Sequence, residues 1–198
     1  MAETVVAMSY EEFLTNPAVD PHSEWVDGKV IALSPVTDEH AYVADFAAHL
    51  LRLWSEWHDL GVVLAEPFQM KPAPDLPGRS PDVLFVTKAR AAQVRRLFLD
   101  GPADVAVEVL SPDSMTRDRA EKFSEYERGG VREYWLLDPR RHLAEFYALS
   151  ADDLYAVVQP DAEGIFRSTA VDGLWLPVEW FWSRPSAVIM QRAWGLIP

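Results

Sequence analysis

The sequence predicts one α/β domain, and three observations carry that prediction. Val83-Leu84-Phe85-Val86 and Val105-Ala106-Val107, with Val109-Leu110, are apolar, β-branched runs of the length of buried strands. From His40 to His58 the apolar residues Tyr42, Val43, Phe46, Ala47, Leu50, Leu51, Leu53, Trp54 and Trp57 recur at three- and four-residue steps, and neither Gly nor Pro interrupts them. After the second run, Ser111-Pro112-Asp113-Ser114 turns the chain into a helix ending at Gly129-Gly130, and Glu133 to Asp138 reads as the next strand, stopped by Pro139. Strand, helix, strand implies a parallel crossover.

The remaining elements follow from local signals. Ser9 with Glu12 three residues later has capping-box spacing, so a short helix is expected up to Asn16-Pro17. Asp27-Gly28 between β-prone segments supplies the positive φ values of a tight turn and predicts a β-hairpin over residues 23–33. Gly61 is suited to ending the long helix, and Val62-Val63-Leu64 then reads as a strand. The Pro-rich passage from Pro67 to Pro81 is expected as an ordered surface loop, and Arg90 to Phe98 as a helix. Beyond residue 140, Ala144 to Tyr147, Leu154 to Val158 and the segments around Phe166 and Leu174 predict C-terminal antiparallel strands. Residues 1–198 are expected to form a single domain, its core over residues 20–160 and an extension over 161–198.

Composition removes several function classes. Without cysteine there is no disulfide framework, no thiolate metal site and no thiol nucleophile. Neither a Gly-rich phosphate loop, a Gly-x-Ser-x-Gly elbow nor a His-Glu-x-x-His pair is present. The opening residues lack a secretory signal and no apolar run is long enough to span a membrane, so the chain is expected to be cytoplasmic. Its 18 basic against 31 acidic side chains give a formal charge of −13, which opposes attraction to a polyanion. Lys71, Arg79, Lys88, Arg90, Arg95, Arg96, Arg117, Arg119 and Lys122 nevertheless all lie between residues 71 and 122, the makings of a basic cleft in an acidic body. The eight tryptophans, Trp54, Trp57, Trp135, Trp180 and Trp182 among them, are read as core or subunit-contact residues, and a homodimer is expected.

Three ionisable groups stand out. Glu108 interrupts an apolar strand, where an unpaired charge is costly, so it is a metal ligand, an edge residue facing water, or a partner of Arg117 or Arg119. Asp82 opens the neighbouring run and either caps a turn after Ser80-Pro81 or joins Glu108 around a hard divalent cation. Asp118, Lys122 and Tyr126 share a helix face at four-residue steps. Lys122 either points back at the strand ends or forms an exposed pair with Asp118, worth about 0.3–0.5 kcal/mol.

Taken together, Pro81-Asp82-Val83, Glu108-Val109-Leu110-Ser111-Pro112, Asp118, Lys122, Tyr126, Gly130-Val131, Tyr134-Trp135 and Asp138-Pro139 form a series that resembles the bacterial Uma-type restriction endonucleases, within the PD-(D/E)XK nuclease superfamily. The opening helix, the hairpin with Glu24 and the helix start at His40 extend the likeness. The resemblance implies a restriction-endonuclease-like mixed β-sheet core flanked by helices, with hydrolysis of nucleic acid, DNA in the first instance, at a Mg2+ site that Mn2+ also fills. By position it makes Asp82 and Glu108 the metal ligands, with the Val109 backbone carbonyl a third. Leu110 stands where the motif lysine belongs, and the resemblance assigns that lysine's work to Lys122. Glu24 and His40 are accessory candidates, the first as a further metal or water contact and the second approaching the phosphate. Two rivals belong to other classes: a nuclease-fold scaffold without activity, and a metal-independent hydrolase with Asp82 and Glu108 as paired carboxylates.

Overall fold

The computed structural model describes residues 7–112, 114–115 and 117–198. Asp113, in the expected turn, and residues 1–6, read above for a secretory signal, lie outside the described residues. Helix α1 (Tyr10–Thr15) starts on a complete capping box, with Ser9 and Glu12 satisfying each other's backbone amides. The hairpin follows as β1 (Ser23–Val26) and β2 (Lys29–Ala32), turned by Asp27 and Gly28, both at positive φ. Helix α2 (Asp38–Trp57) is capped by the Thr37 hydroxyl, which accepts the His40 amide.

A six-stranded mixed sheet forms the centre, in the order β10-β9-β8-β7-β5-β3. Its strands are β3 (Gly61–Ala65), β5 (Val83–Thr87), β7 (Val105–Val109), β8 (Glu133–Asp138), β9 (Leu143–Leu149) and β10 (Tyr155–Val157). Only β7 and β8 pair in parallel here; their crossover contains a π-helical turn (Arg117–Lys122) leading into α3 (Phe123–Gly129). Period-two alternation along β7 sorts its side chains between two cores. Val105, Val107 and Val109 join Val43, Phe46, Leu50 and Trp54 of α2 on one face. Ala106 and Leu110 pack with Tyr126, Tyr134 and Leu136 on the other, the face that also carries Glu108. Complete burial of each such aliphatic side chain contributes about 1.5–3 kcal/mol.

Three expectations change. Gly61 does not end α2; it opens β3, where a Cβ would lie 2.1 Å from the Val86 carbonyl oxygen, so close strand approach demands glycine. The Pro-rich passage is not a surface loop throughout. It contains β4 (Gln69–Lys71), and Leu76 to Ser80 are buried, held by reciprocal backbone bonds between Met70 and Arg79. The segment expected as a helix from Arg90 is a 3-10 turn (Lys88–Gln93) followed by β6 (Phe98–Asp100), which pairs in parallel with β4 and buries Leu99. In both cases pairing with distant backbone overrides local propensity.

The C-terminal hairpin, β11 (Ile165–Arg167) and β12 (Trp175–Pro177), and the helices α4 (Trp180–Ser183) and α5 (Ala187–Ala193) cover the α2 side of the sheet. Phe166, Val171, Leu174, Phe181 and Met190 belong to the same core cluster as Phe46 and Trp135, whereas Trp180, Trp182 and Trp194 are partly buried against it. Among the described residues, no helix is long and apolar enough to cross a membrane.

Glu133, buried on β8, fastens this segment. Its carboxylate accepts from the Trp135 indole, the Ser168 and Thr169 hydroxyls and the Thr169 and Ala170 amides. Glu133→Ala leaves the buried Trp135 indole and Ala170 amide, and the less buried donors of Ser168 and Thr169, without this acceptor, and a loss of about 3–5 kcal/mol is expected. Thermal unfolding should show a midpoint roughly 10 °C lower; an unchanged midpoint would mean that water replaces the carboxylate.

Candidate active site

Strand register builds the site. Val83 pairs with Val107 and Leu84 with Ala106, so one further step sets Asp82 opposite Glu108, both on the sheet face that receives the crossover. Val83 also pairs with Ala65, and the same step places Glu66 beside Asp82 on the opposite strand, its amide donating to the Asp82 carbonyl at 3.2 Å. His40, in the first turn of α2, approaches from the other side, with Nε2 3.5 Å from Asp82 Oδ2. The Val109 amide donates to that same oxygen at 2.6 Å.

The crossover brings Lys122 over Glu108. Its ammonium lies 2.8 Å from Glu108 Oε1, 3.0 Å from Glu24 Oε1 and 3.4 Å from Asp118 Oδ1. The exposed Asp118–Lys122 pair is thereby ruled out: Lys122 is 2% exposed and Asp118 is buried with it. Glu108 is not an edge residue either, since β7 is central, and neither Arg117 nor Arg119 pairs with it. The helix expected to present these groups departs from α geometry at the π-helical turn, which widens the spiral where Asp118 and Lys122 must both point inward. Tyr126, a turn further on, donates its hydroxyl to Glu108 Oε1 at 2.8 Å.

Glu24 ties the hairpin into this cluster. Arg79, wholly buried, donates to Glu24 Oε2 at 2.9 Å and holds Glu125 through two bonds of 2.7 Å. The Ser80 amide donates to Glu24 Oε1. Burial works to raise the Glu24 carboxyl, but Lys122, Arg79 and Arg117 outweigh it and hold it down to about 2. For Glu108 burial dominates, with Asp118, Asp82 and Glu24 adding to it and Lys122 opposing, so its carboxyl is pushed well above the usual range. Burial works to lower the Lys122 ammonium, yet Glu108, Glu24 and Asp118 raise it, and it stays charged. His40 is raised in net, because Asp82, Glu66 and the Val109 backbone exceed the effect of burial.

These groups surround a cavity of about 80 Å³ lined by four carboxylates, Glu66, Asp82, Glu108 and Asp118, against Arg117, Lys122 and His40. Every residue expected at the site from sequence thus meets here: Asp82, Glu108, Val109, Lys122 and His40 line the cavity, and Glu24 lies behind Lys122. Glu66 and Arg117 were not singled out as site residues. Glu66 precedes a proline in a segment that shows its relation to Asp82 only once β3 and β5 are in register. Arg117 is 25% exposed, and its Nε has no hydrogen-bond partner among the described residues.

The donor set fits a hard divalent cation. It consists of oxygens with an excess of negative charge, and Asp82 Oδ1 and Glu108 Oε2 take part in none of the contacts above. Among the described residues, no three acidic or histidine side chains form a ready-made cage. A cation that keeps several of its waters, as Mg2+ does, needs only one or two carboxylates.

Most of the cations expected to form a basic cleft are engaged locally instead, while Arg117 and Lys122 line the acidic cavity. Arg79 serves Glu24, Glu121 and Glu125; Lys88 pairs with Asp59, Arg90 with Asp104, Arg95 with Asp100 and Arg119 with Glu145. Lys71 lies over the rings of Tyr10 and Trp25.

A mixed sheet whose parallel pair is bridged by a helix, with acids on adjoining strand ends and a buried lysine, defines a restriction-endonuclease-like α+β protein. The family model of Uma2, described as putative restriction endonuclease, matches residues 10–179, and the chain belongs to that family. A crystal structure of a putative nuclease belonging to DUF820 from Anabaena variabilis ATCC 29413 is similar in fold, with a TM-score of 0.70. It is 19% identical, and the match covers 89% of this chain and 98% of that one. No curated protein matches the chain.

The Glu24 carboxyl makes the network acid-sensitive. It ionises near 4.5 when unfolded and near 2 when folded, so its stabilisation is complete above about pH 4.5 and disappears as the pH falls toward 2. The shift corresponds to about 3 kcal/mol at most. Glu24→Gln should lower stability at neutral pH and flatten the acid limb across that window in urea unfolding; an acid limb parallel to that of the wild type would refute the assignment.

Proposed function

We propose that the chain is a metal-dependent endonuclease hydrolysing phosphodiester bonds of nucleic acid, DNA in the first instance, with Asp82, Glu108 and Lys122 as its catalytic residues. The observation that carries this reading is the Lys122 ammonium 2.8 Å from Glu108, on the face where Leu110 leaves the motif lysine's place apolar. Asp82 and Glu108 would hold Mg2+ or Mn2+, with the Val109 carbonyl as a further oxygen ligand. The bound cation supplies charge neutralisation at the phosphate and a water acidified enough to attack it.

The protein's own groups have distinct tasks. Lys122 keeps a fixed positive charge against Glu108, which favours the ionised carboxylate that ligation requires, and it adds positive potential where charge develops on the phosphate. Glu24 holds Lys122 from behind and is itself fixed by Arg79, so the ammonium cannot swing into solvent. Tyr126 orients Glu108 by donating to Oε1, which directs Oε2 elsewhere. His40 faces Asp82 as an ion-pair contact at 3.5 Å and lines the cavity, where it would approach a phosphate oxygen. Arg117, partly exposed at the cavity, completes the cationic side.

The second reading is a nuclease-fold scaffold without activity. It is favoured by Leu110 and by the engagement of Lys122 with three carboxylates of its own chain. We further propose that residues 1–198 act as one domain and as a cytoplasmic homodimer. Val188 and Ile189, exposed on α5, offer apolar contact area for a second copy.

Calorimetric titration of Mn2+ into wild type and Asp82→Asn/Glu108→Gln, followed by cleavage of a mixed DNA pool, tests the assignment. Metal uptake should be lost in the double variant, and cleavage should fall at least about 100-fold because several kcal/mol of charge stabilisation disappear. Negligible uptake by both proteins would reject the reading in favour of the scaffold.

A further inference from the structure

Two exposed arginines, Arg140 and Arg141, stand at the end of the sheet where the acidic cavity opens; among the described residues Arg141 has one long ion pair, to Asp138 at 4.0 Å. Because β7 and β8 run parallel, with Val109 beside Leu137, the turn after β8 emerges next to Leu110 and Ser111. That turn is Pro139-Arg140-Arg141-His142, and Asp138 shapes it by accepting the amides of Arg140 and Arg141 at 3.1 Å each. The buried Asp138 carboxylate is thus occupied with backbone, and Arg141 Nε stays 4.0 Å from its other oxygen. Both arginines are exposed, the Arg141 side chain to 71%.

Ser111 lines the acidic cavity and also the recess that Arg140 and Arg141 border, so the two adjoin. Beyond Pro139 a second recess is bounded by His142, Trp182 and Arg184. The His142 and Trp182 rings are stacked, with centroids 5.2 Å apart and planes within 6°. Arg184 lies over Tyr42 at 4.9 Å, and Tyr42 is 58% exposed. Among the described residues, the carboxylates lining the two recesses are Glu39 and the occupied Asp138.

We propose that this strip, from Ser111 through Arg140 and Arg141 to His142, Trp182 and Arg184, seats a single-stranded segment of nucleic acid that leads away from the acidic cavity. The proposal rests on the phosphodiesterase reading of that cavity. Phosphates lie on the arginines and unpaired bases against the rings, the pairing of charge and stacking by which single strands are held. A duplex presents a second row of phosphates to a body of net charge −13 and offers no free base faces to the rings.

The test is fluorescence anisotropy of a labelled oligothymidylate of about 12 nucleotides, with the full chain in EDTA-containing buffer over a salt series. Wild type should bind, and Arg140→Glu/Arg141→Glu should weaken binding about tenfold or more. The slope of log affinity against log salt should fall by about 1.4, the share of two phosphate contacts on a single strand. Melting temperature and Mn2+ uptake of that variant should match wild type, because neither arginine touches the cavity acids. No binding by wild type, an unchanged affinity and slope in the variant, or tighter binding of a duplex of equal length would each overturn the proposal. Loss of the phosphodiesterase reading registers separately, as absent Mn2+ uptake by wild type with strand binding intact.

Discussion

The fold is organised around one buried ammonium. Lys122 comes from the crossover, Glu24 from the N-terminal hairpin and Glu108 from the central strand, and they meet with almost no water to screen them. Removing any one partner leaves an uncompensated charge in a low-dielectric interior, which costs far more than the pair contributes when whole. Arg79 extends the same constraint into the Pro-rich passage, which explains why a stretch with so little regular structure is buried and held by backbone bonds. Three segments distant in sequence are therefore fixed relative to one another by charge, where apolar packing alone would allow them to slide.

Much of the fold was legible because its signals are local. The Ser9–Glu12 capping box, the Asp27-Gly28 turn, the period of α2 and the Val-rich strands each state their conformation within a few residues. What was not legible depended on partners elsewhere in the chain. The β4–β6 pairing, the role of Gly61 and the proximity of Glu66 to Asp82 all follow from strand register, which no single segment encodes. The site residues were legible as a series of spaced motifs, yet their arrangement was not. Sequence spacing gave an exposed ion pair as a serious alternative for Lys122, because nothing in residues 118–122 reveals that a hairpin carboxylate will cover them.

The electrostatics show why a count of charges misleads. A run of nine basic residues looked like a binding surface, but most of them are neutralised by acids placed against them in space. The result is a scaffold held by its own ion pairs and a small cavity left in carboxylate excess. That imbalance favours cations locally, while the chain's overall charge keeps polyanions at a distance except where arginines remain exposed.

The contribution of the last 35 or so residues to the α2 core cluster has a consequence for biosynthesis. Phe166, Phe181 and Met190 cover an apolar sheet face that would otherwise be open, and Glu133 waits on residues 168–170 for its donors. A nascent chain long enough to contain every residue of the acidic cavity still lacks this cover, so it leaves the ribosome with a sticky, half-finished layer. Completion of this layer therefore waits on synthesis of the C-terminal hairpin and of Met190, with chaperone shielding most needed in the interval before that segment docks.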